Sequence, residues 1–176
     1  MNILVIAGSP RKGGNTDIMA EAFAQGAREN GNRVIVKNAG QMKIGPCMAC
    51  EYCFAHDGVC VQKDDMAQLL EEIDRADMVV FASPVYWFGI SAQLKLVIDR
   101  LYARVKKGFR PKQTALLLNA MSNGVFEAAV TQYKYINNYL KWQDKGVITI
   151  AGMAEKGSMK YAPGLKDVID LGRSIK

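Results

Sequence analysis

The chain has 176 residues, of which 49% are hydrophobic and 23% charged, a composition that suits one globular domain with a sizeable core. It contains no repeat, low-complexity tract or collagen-like period, and no apolar run long enough to cross a bilayer. Its formal charge of +6 favours anionic partners, phosphate-bearing cofactors among them, or is simply a solvated basic surface.

Ile3 to Ala7 is apolar and β-branched enough for a central strand. With no basic stretch before it and no longer apolar core, it reads as strand and not as a leader, so a cytoplasmic address without a membrane partner is expected. Gly13-Gly14-Asn15-Thr16 then lead into a helix carrying Ile18, Met19, Ala22, Phe23 and Gly26, which Gly31 stops as a C′ glycine. Val34 to Val36 is a second strand. From Asn38 to Lys63 no period is sustained, and all four cysteines fall here. One domain over 1–176 with a cysteine-rich insertion at about 40–63 is the expected organisation.

Asp64-Asp65 resembles an N-cap with a charged first turn, opening a helix through Met66, Leu69, Leu70 and Ile73. Met78 to Ala82 is a third apolar strand. Ser91 to Val105 has Leu94, Val97, Ile98 and Leu101 on one helical face, with Lys95 four residues before Asp99. The densest basic cluster follows: Arg104, Lys106, Lys107, Arg110 and Lys112. Only Phe109 is interleaved with it, too little for a nucleic-acid surface. Thr114 to Leu118 is a strand, and Val125 to Trp142 a long helix carrying Phe126, Val130, Tyr133, Ile136 and Leu140. Val147 to Ala151 is the last strand and Leu165 to Ser174 a terminal helix. Five apolar strands alternating with amphipathic helices predict an α/β fold in three layers, a doubly wound parallel sheet covered on both faces. The order 2-1-3-4-5 puts the switch point beside the first strand–helix loop.

That loop carries the first chemical signal. In Gly8 to Thr16 the glycines, Gly14 among them, let backbone N–H groups approach an anion. Ser9, Asn15 and Thr16 add side-chain donors, Arg11 and Lys12 add charge, and the helix start supplies a favourable dipole. It is neither a P-loop, since Gly13 is followed by Gly14, nor a dinucleotide fingerprint, since Lys37-Asn38 ends the second strand where an acid would grip a ribose. A second segment, Ser83-Pro84-Val85-Tyr86-Trp87-Phe88-Gly89, leaves the third strand's carboxyl end, where open sheets bind ligands. Its backbone can bond the polar edge of a flat ring, and Tyr86 or Trp87 can stack on it; plugging core or an interface is the alternative, above all for Phe88.

Together these segments resemble the flavodoxin-like NADPH-dependent FMN reductase family: Gly8 to Thr16 its phosphate loop, and Ser83 to Gly89 with Ser91-Ala92-Gln93-Leu94-Lys95 and Asp99-Arg100 its isoalloxazine loop and following helix. The resemblance runs to about Ala151. It implies a flavodoxin-like fold and FMN held by Ser9, Arg11, Lys12, Gly14, Asn15 and Thr16 at the phosphate. The ring would lie against Pro84, Val85, Tyr86, Trp87, Phe88 and Gly89, with Asn119, Met121 and Ser122 lining it. A homodimer is also implied, with flavin near the subunit boundary and the Ser91 to Val105 helix involved.

Cys47-x2-Cys50-x2-Cys53-x6-Cys60 can wrap one compact tetrahedral centre. Ferredoxin runs place the fourth cysteine after three spacers and before a proline, whereas Val61 follows here. The pattern, with Asp64-Asp65-Met66 downstream, resembles the iron-sulfur flavoprotein subgroup, in which it holds a [4Fe-4S] cluster. Free or regulatory thiols and structural Zn²⁺ are the other readings; zinc sites made only of cysteine usually show two separated knuckles. His56, the lone histidine, is read as an exposed loop residue. A flavin beside a cluster would link NAD(P)H or a ferredoxin as donor to a small-molecule or protein acceptor, with no side-chain acid or base needed for hydride transfer. A non-enzymatic electron carrier is the alternative; small flavodoxins are acidic and this chain is basic.

Overall fold

The computed structural model describes all 176 residues. Its strands are β1 (Asn2–Ala7), β2 (Arg33–Asn38), β3 (Met78–Tyr86), β4 (Gly89–Ile90), β5 (Gln113–Asn119) and β6 (Gln143–Ile150). Its helices are α1 (Asn15–Glu29), α2 (Tyr52–Ala55), α3 (Met66–Arg75), α4 (Ala92–Arg100), α5 (Glu127–Leu140) and α6 (Leu165–Ser174). The long strands pair in parallel as β2-β1-β3-β5-β6, the order foreseen when they are counted by themselves. The unforeseen β4 is a two-residue antiparallel return on the end of β3.

Alternation along the central strands builds two cores. Ile3, Val5 and Ala7 of β1, Met78, Val80 and Ala82 of β3, and Ala115 and Leu117 of β5 face α1 and α6. Leu4, Ile6, Val79, Phe81, Leu116 and Leu118 face the opposite layer with α3, α4 and α5. No helix is long and apolar enough to cross a membrane.

Several expected boundaries shift: β3 runs on to Tyr86, through the start of the segment expected to leave the strand at Ser83, and β6 begins at Gln143 instead of Val147. The Ser91 to Val105 helix keeps Ser91 as its N-cap, accepting from the Leu94 N–H, but tightens after Arg100 into a 3₁₀ turn over Leu101–Arg104. The long helix does not reach Trp142: Lys141 turns left-handed at φ 56°, and Trp142 folds into the core edge-on to Phe109 at 5.4 Å. At the start of α3 the Met66 N–H is capped by the Asp64 carboxylate, while Asp65 instead accepts from the Lys43 N–H.

α1 and α6 touch backbone to backbone through Gly26 and Gly172. A Cβ on Gly172 would lie 2.2 Å from the Phe23 carbonyl oxygen and 2.8 Å from the Ala27 nitrogen. Backbone atoms inside a helix cannot yield as a side chain can. Gly172→Ala is therefore expected to lower stability by about 1–3 kcal/mol, read as a reduced urea midpoint; an unchanged midpoint would contradict this packing.

Candidate functional site

Parallel register brings the carboxyl ends of the strands level: Ala7 stands beside Ala82, Pro84 beside Asn119, and Asn119 beside Ile150. The loops leaving β1, β3, β5 and β6 therefore open into one cleft of about 790 Å³. Ser9, Arg11, Asn15 and Thr16 line one side, Pro84 to Phe88 and Asn119 to Ser122 the other. Lys12, Gly14 and Gly89, expected in the site, do not line it. Val125, Met153, Ala154 and Lys156 do, unforeseen; the rule that ligands sit at strand carboxyl ends, applied to β6, would have found the last three.

At the phosphate loop, α1 starts without a side-chain cap at Gly14, leaving first-turn N–H groups available to an anion. Thr16 is 1% exposed and its Oγ1 accepts from Asn119 Nδ2 at 2.8 Å. That bond leaves the Thr16 hydroxyl proton free to donate. Asp17 accepts from the Gly13 N–H at 2.7 Å and from Asn38 Nδ2 at 2.7 Å, holding the loop's curve. Burial pushes the Asp17 carboxyl up from its ordinary value against the opposing Gly13 bond.

The Asn15 side chain, expected to donate to phosphate, has another task. Its Nδ2 donates to the carbonyls of Glu155 at 2.8 Å and Met153 at 3.2 Å, and its Oδ1 accepts from the N–H groups of Gly157 and Met159. The loop after β6 lies against the start of α1 and takes up the whole carboxamide, so Asn15 pins that loop over the cleft.

A chain of buried hydroxyls fixes the two principal loops to each other. Ser91 Oγ donates to the Gly8 carbonyl at 2.7 Å, the Ser91 N–H donates to Ser83 Oγ at 2.9 Å, and Ser83 Oγ donates to the Pro84 carbonyl at 2.7 Å. Gly8 must be glycine, because a Cβ there would stand 2.6 Å from Leu94 Cβ and 2.7 Å from Ser91 Oγ. Beyond it, Trp87 and Phe88 form the two-residue turn between β3 and β4 with φ of 48° and 65°. Hairpin turns of this kind normally take Asn-Gly. Two aromatics held left-handed, with Trp87 95% exposed, are the sort of strain that gathers at ligand sites.

The cysteines form a second locus. All four are reduced and line one small cavity with Arg100. Burial pushes the Cys53 thiol up from its ordinary value. No three acidic, histidine or cysteine side chains stand in a closed metal-binding arrangement. Ala49, Glu51 and Asp57, none of them glycine, are left-handed at φ 51°, 56° and 48°, so the segment is sharply coiled between its cysteines. His56 is exposed, stacked on Tyr52 at 3.6 Å, with Nδ1 bonded to the Tyr52 carbonyl. The donor set, four thiols on one cavity wall, fits a thiophilic metal centre.

Arg100 and three members of the basic cluster, Arg104, Lys106 and Lys107, hold this segment, while Arg110 pairs with Asp77. Arg100, 2% exposed, reaches Asp64 with Nη1 and Nη2 at 2.8 and 3.0 Å and the Gly45 carbonyl at 2.9 Å. Arg104 binds the Gly58 carbonyl and Asp74, and Lys106 and Lys107 touch the Phe54 carbonyl and Asp57 at 3.4 Å each. Burial opposes charge on Asp64, but its bonds from Arg100 and Gly45 outweigh that and hold the carboxyl below its ordinary value.

The family model described as NADPH-dependent FMN reductase matches residues 1–154. The chain belongs to that family. Membership puts it among flavoprotein oxidoreductases that draw on NAD(P)H. It is similar to an iron-sulfur flavoprotein of Methanosarcina thermophila, 31% identical over 97% of this chain and 88% of that protein. An iron-sulfur flavoprotein of Archaeoglobus fulgidus is 39% identical over 63% of this chain, and the match spans about half, 49%, of that relative's length. Among solved structures, an NAD(P)H:quinone oxidoreductase from Methanothermobacter marburgensis superposes with a TM-score of 0.72 at 20% identity, over 98% of this chain and 96% of that one. That likeness carries the flavodoxin-like fold.

Two expectations follow from the geometry. Asn119→Ala removes the bond that orients Thr16, worth on the order of 1 kcal/mol, so FMN should be held about fivefold to tenfold more weakly in a fluorescence titration. The lowered Asp64 carboxyl contributes stability that is present above the unfolded carboxylate range and lost as pH falls through the folded value. Asp64→Asn should accordingly shrink the drop in urea midpoint between pH 7 and pH 3.

Proposed function

We propose that the chain is an FMN-dependent reductase that oxidises NAD(P)H and passes electrons through a [4Fe-4S] cluster held by Cys47, Cys50, Cys53 and Cys60. One observation carries the reading: α4 begins at the cleft, where Ser91 binds the Gly8 carbonyl, and ends at the cysteine cavity, where Arg100 lies. The helix between these ends has nine residues, a rise of about 13 Å. A cofactor cleft and a four-thiol centre at opposite ends of one short rigid element suit electron passage between them.

In this reading the start of α1, Ser9 and Thr16 bind the FMN phosphate, and Arg11 and Lys156 supply positive charge. Pro84 to Phe88 and Asn119 to Ser122 orient the ring, with the aromatic turn screening it from water. FMN, when bound, supplies both hydride acceptance and single-electron release, and the protein's part is binding and orientation. No side chain is assigned a proton. The iron-sulfur names of the relatives support the cysteine assignment, as does the donor set.

The same reading pairs the chain with a second copy through α4 and α5, where Tyr135 and Tyr139 stand 71% and 74% exposed beside an apolar groove that Ile98 and Tyr102 also line. Sedimentation should give a dimer that Tyr135→Glu with Tyr139→Glu converts to monomer.

Anaerobically purified protein is expected to show flavin absorption with a broad shoulder bleached by dithionite, and about four irons and four sulfides per chain. It should oxidise NADH or NADPH with a quinone or free flavin as acceptor. Turnover without iron or sulfide would leave an FMN reductase with free thiols. Zinc in place of iron would make the cysteine segment a structural site, and no turnover with either nucleotide would leave an electron carrier.

A further inference from the structure

Arg100 is among the largest fully buried side chains, at 2% exposure, and lines the cavity of the four cysteines. Its two terminal nitrogens are committed to Asp64 and the Gly45 carbonyl. Its third donor, Nε–H, is buried without any acceptor. Leaving a guanidinium N–H dry and unpaired is costly, and Cys60 lines the same small cavity as Arg100. A charged donor with one proton unspent, fixed by a bidentate fork beside a wall of thiols, is matched by a sulfur-rich group of net negative charge. A [4Fe-4S] centre with four thiolate ligands is such a group.

We propose that Arg100 sets the reduction potential of the cysteine centre, donating Nε–H to a sulfur of that centre and placing its charge beside the cluster. This rests on the cluster reading given above. A hydrogen bond and a positive charge at a ligating sulfur stabilise the more negative, reduced state, so they raise the potential. Asp64 is a positioning residue here: it aims the guanidinium and partly offsets its charge. Lysine cannot replace this geometry, because a single ammonium has no planar fork to satisfy Asp64 and Gly45 while presenting a further donor.

The test is an anaerobic redox titration of the reconstituted holoprotein, following cluster and flavin absorption together, with iron and sulfide counted on each sample. Arg100→Lys is expected to lower the cluster midpoint by the equivalent of at least a tenfold fall in the one-electron equilibrium constant, about 59 mV, with the flavin midpoint unmoved. An unchanged cluster midpoint at full iron content overturns the proposal, as does a flavin midpoint that moves equally, the mark of a merely structural role. Where Arg100→Lys does not hold its iron, Asp64→Asn decides. That variant keeps Nε–H while removing the offsetting charge, so a raised midpoint, equivalent to about threefold in the same constant, supports the proposal and an unchanged one overturns it. Wild-type protein that binds FMN but takes up no iron or sulfide defeats the cluster reading itself, and the role of Arg100 with it.

Discussion

Parallel pairing is the constraint on which the rest depends. Strands that run the same way and start in register also finish in register, so β1, β3, β5 and β6 release their loops at one level. The groups in the cleft are delivered by that geometry: a helix start from the first strand, an aromatic turn from the third, an amide at the end of β5 with a methionine after it, and Met153 to Lys156 after β6. Antiparallel strands would send half of these loops to the opposite end. The hydroxyl chain Ser91–Gly8 and Ser83–Pro84 then removes the remaining freedom between the two principal loops.

The second layer of organisation is electrostatic. A segment rich in cysteine, glycine and left-handed turns cannot bury enough apolar surface to hold itself in place. Two arginines one helical turn apart hold it instead, Arg100 at its ends through Gly45 and Asp64, Arg104 in its middle through Gly58. Both come from the α4 region, whose other end carries the Ser91 contact with the phosphate loop. Cleft and cysteine cavity are therefore referenced to the same rigid body, and displacing one end of α4 strains the other.

Much of this was legible in the sequence, for identifiable reasons. The central strands are buried on both faces, so Ile3 to Ala7 and Met78 to Ala82 read as unbroken apolar runs. The phosphate and aromatic loops stand out because they sit at strand ends and carry residue types with recognisable work. Other features leave no local trace. Nothing in Asn15 itself says that its carboxamide turns to the loop after β6, because that choice is made by residues more than a hundred positions away. Left-handed backbone is signalled by Gly or Asn, so Trp87 and Phe88 give no warning of it. Arg100 follows a helical face that looks amphipathic, and its burial becomes visible only once Asp64 is placed opposite. The retreat of Trp142 from its helix reflects the pull of a core position beside Phe109, which helical periodicity does not register.

The chain has two tryptophans, and the fold puts them in opposite surroundings. Trp142 is 5% exposed, edge-on to Phe109 beneath the sheet, whereas Trp87 is 95% exposed at the lip of the cleft. An indole in a dry, apolar setting emits at shorter wavelength than one in water, and a ring system stacked against an indole quenches it. The intrinsic fluorescence of this protein is thus divided into two channels. Trp87 is placed to report on what stacks at the cleft, and Trp142 on whether its contact with Phe109 is intact.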